Sequence, residues 1–152
     1  MIFMRAVIQR CESCSILSEG EPVGSIGRGL AVLLGVKKGD SEKDVEYIAN
    51  KICQLRIFED DNQKMNRSLL DVGGELAIVS QFTLYGDARK GRRPSFTEAE
   101  SPERAEELYR KTVEACRGMG IKTETGRFQT DMKISLVNDG PVTILLDSSR
   151  EF

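Results

Sequence analysis

Apolar clusters at Ala6-Val7-Ile8 and Ile16-Leu17, flanked by polar residues, make residues 5–10 and 14–18 read as two strands. Glu19-Gly20-Glu21-Pro22 reads as a turn into a further strand at 22–26. Leu30-Ala31-Val32-Leu33-Leu34-Gly35-Val36 is apolar without interruption, which suits a central strand covered on both faces. The period then lengthens: Val45, Ile48, Ala49, Ile52 and Cys53 recur at three and four, so a helix is expected, capped by Asp40 or Ser41. Ser41 and Asp44 have the spacing of a capping box. Leu55-Arg56-Ile57-Phe58 alternates like a strand, residues 59–66 form a polar turn, and Glu75-Leu76-Ala77-Ile78-Val79 reads as a buried strand. A second helix opens with Ser101 as cap and Pro102 at its first position, carries Ala105, Leu108, Tyr109, Thr112, Val113 and Cys116 on one face, and ends at Gly118. Strands near 121–125 and 131–137 follow, and the chain closes on Val142-Thr143-Ile144-Leu145-Leu146.

Many strands with two helices, and no regular strand-helix alternation, indicate an α+β fold with a mostly antiparallel or mixed sheet. At 152 residues the chain fits one domain, residues 1–152, which buries roughly 70% of the surface of its unfolded form. Residues are 39% hydrophobic and 30% charged, which excludes disordered and fibrous classes. No apolar run approaches the roughly 20 residues of a membrane span. The start, Met1 to Arg5, lacks the pattern of a secretory signal, so cytoplasmic residence is expected.

Charge and cysteines each narrow the chemistry. The formal net charge of −2 argues against coating nucleic acid by bulk attraction. Arg89, Lys90, Arg92 and Arg93 nevertheless place four cations within five residues, enough to contact a few phosphates. Cys11 and Cys14 have the spacing of a redox or zinc pair, but no second pair and no histidine completes a zinc site. On a regular strand a separation of three sends the two side chains to opposite faces. Cys53 and Cys116 fall on apolar helical faces, where cysteine behaves as a small hydrophobe. Gly24, Gly27 and Gly29 lack the dinucleotide spacing and read as turn glycines. No metal and no cofactor is expected.

Two distant segments stand out in a chain with no histidine. Ser80-Gln81-Phe82-Thr83-Leu84-Tyr85 runs from the buried strand into polar residues, where amides and hydroxyls become free to face a ligand. Asn138-Asp139-Gly140-Pro141-Val142-Thr143 reads as a turn with an X-Pro bond. Either has a plain structural reading, threonine in a strand and an ordinary surface turn. Together they suggest a site built largely from main chain.

The order Met4-Arg5-Ala6-Val7-Ile8-Gln9-Arg10, then Ser80 to Tyr85, then Arg93-Pro94-Ser95-Phe96, then Asn138 to Thr143 resembles the D-aminoacyl-tRNA deacylases, also called D-tyrosyl-tRNA deacylases. The resemblance runs from Met4 to Asp147. It implies a barrel-like sheet with helices packed outside and a homodimer with sites at the interface. It also implies an esterase that removes D-amino acids from tRNA while sparing L-aminoacyl-tRNA, a proofreading step in translation. Glycyl-tRNA is a second substrate this reading allows. Aminoacylated tRNA is then the partner, with neither DNA nor a membrane.

An aminoacyl ester sits beside a ribose hydroxyl that withdraws electrons and can take part in the reaction, so little general-base help is required of the protein. What remains is to orient water and to hold the oxyanion, for which the amides of Phe82 and Thr83 serve; one such donor is worth roughly 3 kcal/mol. Ser80, Gln81 and the Thr83 hydroxyl are the accompanying catalytic and orienting groups, with Thr83 as a covalent nucleophile the rival. The resemblance places Gly140 and Pro141 in the partner's site, held by Arg10. There a cis bond would turn two carbonyl oxygens toward the substrate ammonium, and an L side chain would meet unyielding backbone. Phe128 and Met132 match positions near the terminal adenosine, where an aromatic ring can stack on a base, although apolar residues near a strand are more often core. Gln129-Thr130 stands where many relatives carry Gly-Ala, which narrows that pocket. Arg92 stands where asparagine is common and adds a phosphate contact. Two other functions fit less of the chain: a catalytically silent RNA-binding module using residues 89–93, and thiol chemistry at Cys11 and Cys14.

Overall fold

The computed structural model describes residues 4–152; the reading of the Met1 to Phe3 start falls outside them. The organising element is β1 (Arg5–Ser18). On one side of it β3 (Gly29–Gly35) pairs antiparallel with residues 5–11, and β2 (Glu21–Ile26) with residues 14–18. On its other side β8 (Met132–Asp147) runs antiparallel along almost its whole length. Parallel to β3 lies β6 (Glu75–Ser80), and parallel to β6 lies β7 (Thr123–Thr125), so the six-stranded sheet is mixed. β2 also packs against β6 and β7, which it does not hydrogen-bond, and this curls the sheet into a nearly closed barrel.

Both predicted helices form, α1 (Glu42–Gln54) and α3 (Pro102–Gly118), and they pack on each other. The Asp44 carboxylate accepts from the Ser41 N–H at 2.8 Å, which satisfies an otherwise orphaned donor at the start of α1. Ile48, Ile52, Leu108, Val113, Cys53 and Cys116 meet Ala6, Ile8, Leu30, Val32 and Leu34 in the main core. A second cluster on the opposite face holds Cys11, Cys14, Ile16, Ile26, Ala31, Ala77 and Val79. Because β3 contributes Leu30, Val32 and Leu34 to one cluster and Ala31 to the other, its sequence has no polar face.

Several expectations are corrected. The two strands at 5–10 and 14–18 are one strand carrying irregularities between Gln9 and Ser13. The extra residue leaves Glu12 and Ser13 exposed in succession and returns Cys14 to the same side as Cys11, so both are buried in one cluster instead of on opposite faces. Residues 131–137 and 142–146 are likewise parts of one strand, with the expected turn as an excursion within it. Of the predicted 55–58 strand only Phe58 is extended, in β4 (Phe58–Glu59), which pairs with β5 (Met65–Arg67); both strands overlap the ends of the segment read as a polar turn. One unpredicted helical turn, α2 (Leu69–Val72), is held by a reciprocal cap in which Ser68 Oγ accepts from the Asp71 N–H at 3.1 Å and Asp71 accepts from the Ser68 N–H at 2.8 Å. Gly29 permits the close β3–β6 approach, since a Cβ there would lie 1.7 Å from the Glu75 carbonyl oxygen.

Candidate active site

Where β6 ends, the chain does not stay extended. Gln81 donates its N–H to the Leu34 carbonyl at 2.8 Å, the last tie to the sheet, and Phe82–Tyr85 closes one turn of 3-10 helix. Two contacts fix that turn. The buried Tyr85 hydroxyl donates to the Gly35 carbonyl at 3.1 Å, and Gly35 leaves room for the ring, since a Cβ there would sit 2.9 Å from Tyr85 Cε2. The first amides of a helical turn have no partner within it. Those of Phe82 and Thr83 have no acceptor among the described residues. The strand was expected to carry them; they belong instead to a helical turn at its end.

The side chains of this turn are exposed, apart from half-buried Leu84 and buried Tyr85. Gln81 Nε2 donates to Thr83 Oγ1, so the two predicted orienting groups are joined. Ser80, Gln81 and Phe82 line a cavity of about 730 Å³. Its opposite wall is Phe128, Gln129, Thr130, Met132 and Ile134, and its rim includes Phe96 and the start of α3. The structure therefore brings Ser80, Gln81, Phe82, Phe128 and Met132 around one space. Sequence reasoning gave no site role to Lys38, Phe96, Glu100 or Ser101, which also line it. Phe96 had a legible signal: it is a lone aromatic in a polar loop, and its ring meets that of Phe82 edge to face at 5.2 Å.

The basic segment forms a loop closed by paired residues Asp87 and Ser95, directly before Phe96. All four of its cations are exposed. Arg89 Nη2 lies 2.7 Å from Asp87 Oδ2, and this pairing lowers the Asp87 carboxyl to about 2. Lys90, Arg92 and Arg93 make no ion pair among the described residues.

Gly140 and Pro141 lie elsewhere. In the β1–β8 ladder Gln9 faces Thr143 and Cys11 faces Asn138, so four residues, 139–142, bulge opposite the single residue Arg10. Their Gly140-Pro141 peptide is cis. Arg10 is buried, 4% exposed, and holds the excursion: Nε donates to the Asp139 carbonyl at 3.0 Å and Nη1 to the Ile57 carbonyl at 2.7 Å. A Cβ at Gly140 would lie 3.1 Å from Arg10 Nη2 and 2.9 Å from Val142 Cγ2, and φ is +125°, so glycine is required there. Along the sheet, Arg10 aligns with Leu30 and Leu76, whereas Ser80 aligns with Leu34 and Ala6. Four residues of strand, roughly 13 Å, separate the two rows. One chain does not join the two segments.

The Cys11 thiol, buried and then opposed by neighbouring Cys14, is pushed up to about 11. Burial raises Cys14 as well, so neither is an activated nucleophile.

Fold and site together define a small α+β protein with a cavity lined by the end of β6, the turn that follows it and the aromatic residues Phe82, Phe96 and Phe128. The chain belongs to the D-Tyr-tRNA(Tyr) deacylase family, whose pattern matches residues 7–147. It is 58% identical over 149 residues to a D-aminoacyl-tRNA deacylase of Thermosipho africanus (strain TCF52B), covering 98% of this chain and 100% of that one. A D-aminoacyl-tRNA deacylase of Koribacter versatilis (strain Ellin345) is 59% identical over the same shares. Among solved structures, a c-Myc DNA unwinding element binding protein is 39% identical with a TM-score of 0.87, covering 93% of this chain and 97% of that one. A probable eukaryotic D-amino acid tRNA deacylase, 17% identical with a TM-score of 0.83 over 96% of this chain and 100% of that one, shares the fold.

Proposed function

We propose that the cavity beside Phe82 receives the 3′ end of an aminoacylated tRNA, and that the amides of Phe82 and Thr83 hold the oxyanion formed when water attacks the ester. Hydrolysis of D-aminoacyl-tRNA is the activity of this family, and the chain is a hydrolase of that ester bond. The observation that carries the mechanism is the turn opening at Phe82, on the lining of a cavity large enough for an aminoacyl-nucleoside, whose first two amides, those of Phe82 and Thr83, have no acceptor among the described residues. Water adds to the ester carbonyl, the oxyanion is held, and the intermediate collapses to expel the ribose oxygen, which takes up a proton. Gln81 and the Thr83 hydroxyl, already hydrogen-bonded to each other, orient the attacking water. Among the described residues no lysine or carboxylate is hydrogen-bonded to Thr83, which disfavours it as a covalent nucleophile.

Chiral selection requires a second copy. β8 is a 16-residue strand that among the described residues pairs only with β1, and so long an open edge is normally covered. A homodimer that buries it brings Gly140-Pro141 of one chain to the Phe82 cavity of the other. The carbonyls of this excursion take the substrate ammonium, and its fixed backbone rejects an L side chain while admitting a D side chain or glycine's hydrogen. Lys90, Arg92 and Arg93 contact tRNA phosphates. The enzyme works in the cytoplasm, where charged tRNA is used. Matched hydrolysis of D- and L-tyrosyl-tRNA, with and without chelator, tests the reading. D-tyrosine is released in both conditions and L-tyrosyl-tRNA is spared. Thr83→Ala keeps kcat within about tenfold, the worth of one positioning hydrogen bond; near-complete loss would make Thr83 the nucleophile.

A further inference from the structure

One row of the sheet ends beneath the turn that carries the Phe82 and Thr83 amides. Asp147 on β8 faces Arg5 on β1, and Arg5 faces Gly35 on β3. Residues directly opposed in a sheet share a face, so these three positions are neighbours. Gly35 offers no side chain, and the turn occupies the space: a Cβ there would lie 2.9 Å from Tyr85 Cε2, 3.1 Å from the Gln81 carbonyl oxygen and 3.2 Å from Leu84 Cβ. Beside it the Arg5 guanidinium lies over the Tyr85 ring, 5.4 Å from the centroid, within the range of a cation–π contact. That ring is buried, which keeps water from screening the contact. Arg5 is aimed in turn by Asp147, a fully buried carboxylate whose Oδ2 accepts from Arg5 Nε at 3.1 Å. The other oxygen, Oδ1, accepts from the Ser149 N–H at 2.8 Å and from the Ser149 hydroxyl, so the carboxylate is fixed on both sides.

We infer that Arg5 is a positioning residue for deacylation: held by Asp147, it fixes the Tyr85 ring and, through that ring, the turn whose amides meet the oxyanion. The inference rests on the reading that the Phe82 and Thr83 amides hold that charge. Arg5 touches no substrate on this account; it sets where two donors point in the transition state. Its loss therefore lowers kcat and kcat/KM together and leaves KM unchanged. Losing an oxyanion donor outright costs about 100- to 1,000-fold in kcat. A turn that shifts without releasing the charge forfeits part of that, about tenfold.

The experiment measures kcat and KM for D-tyrosyl-tRNA with wild type, Arg5→Met, Arg5→Lys, Tyr85→Leu and the double variant Arg5→Met/Tyr85→Leu, each well below its melting temperature, which is recorded alongside. Arg5→Met lowers kcat about tenfold with KM within twofold of wild type. Arg5→Lys, which keeps a cation beside the ring, holds kcat within about threefold. In the Tyr85→Leu background, where no ring remains to be fixed, Arg5→Met changes kcat by less than twofold. The melting temperature falls on Arg5→Met in both backgrounds, because buried Asp147 loses its partner either way; a purely structural role would give that fall alone. Unchanged kcat in folded Arg5→Met, an Arg5→Lys no better than Arg5→Met, or a tenfold drop that persists without the Tyr85 ring overturns the inference. Should Tyr85→Leu not fold, the comparison of Arg5→Met with Arg5→Lys decides it. Failure of the amide reading shows on a different variant, as near-complete loss of turnover in Thr83→Ala, so the two failures are distinguishable.

Discussion

Replacing Arg10 with methionine removes the cation that ties the Gly140-Pro141 excursion to the sheet while keeping most of its apolar stem. The guanidinium is 4% exposed and donates to two carbonyls, Asp139 at 3.0 Å and Ile57 at 2.7 Å. Its ion pairs, to Glu59 at 3.4 Å and to the Asp139 carboxylate at 3.6 Å, have partners that are half-exposed and add little. Charge-assisted bonds contribute about 1.5–3 kcal/mol each, so the two carbonyl bonds put the loss at about 3–6 kcal/mol. For a chain of this size that lowers the melting midpoint by roughly 10 °C. If the same anchor keeps the excursion rigid against an L side chain, freeing about 3 kcal/mol of restraint lowers the D/L ratio of kcat/KM by roughly 100-fold. The assay is hydrolysis of D- and L-tyrosyl-tRNA well below the variant's melting temperature, alongside thermal denaturation. A stability loss of the expected size with an unchanged D/L ratio would show that Arg10 supports the fold and has no part in handedness. Unchanged stability would refute the burial argument itself.

Two further predictions address the basic loop and the cysteines. Arg92→Ala and Arg93→Ala each weaken KM for D-tyrosyl-tRNA and reduce the magnitude of its logarithmic salt slope by somewhat under one, the value for a single-strand phosphate contact. Arg89→Ala moves the slope less, since Asp87 already neutralises that charge; equal effects for all three would sink the assignment. At pH 8 the Cys11 thiol, with its titration pushed up to about 11, is ionised to about one part in a thousand. Cys11 and Cys14 therefore resist iodoacetamide in the folded protein and react once it is unfolded; rapid labelling of the native state, read by mass spectrometry, would contradict their burial.

Helices α1 and α3 were legible because each carries an unbroken three-four period and a recognisable start at Ser41 or Ser101, and these signals lie within one turn of the residues they govern. The cavity was legible in part for the same reason: Ser80 to Phe82 and Phe128 to Met132 each follow or precede a strand, where polar groups leave the ladder. What could not be read is set by pairing. Nothing local to Glu12 and Ser13 announces a bulge; it exists because β8 supplies fewer residues than β1 at that point, and it alone decides that Cys11 and Cys14 share a face. The excursion at 139–142 likewise reads as a turn until Thr143 is seen opposite Gln9. The positive φ of Gln129 was hidden because glycine or asparagine, the usual markers of that conformation, is absent there.

The same ladder gives a reason for the proposed division of this chemistry between two chains. β1 spaces Arg10 and the alignment row of Ser80 four residues apart, and a rigid sheet cannot fold one onto the other. A groove holding both the oxyanion amides and the Gly140-Pro141 carbonyls must therefore bring together different ends of two sheets. The edge available for doing so is β8, which also carries the excursion, and Val137 and Leu145 on that strand are each about half exposed. Pairing along β8 would cover these apolar side chains and deliver Gly140-Pro141 across the interface in one step. On this account the open edge and the split site have a single origin. The residue that secures the excursion, Arg10, is buried in the same chain, so on the proposed reading the geometry of the chiral wall is set before any partner or substrate binds.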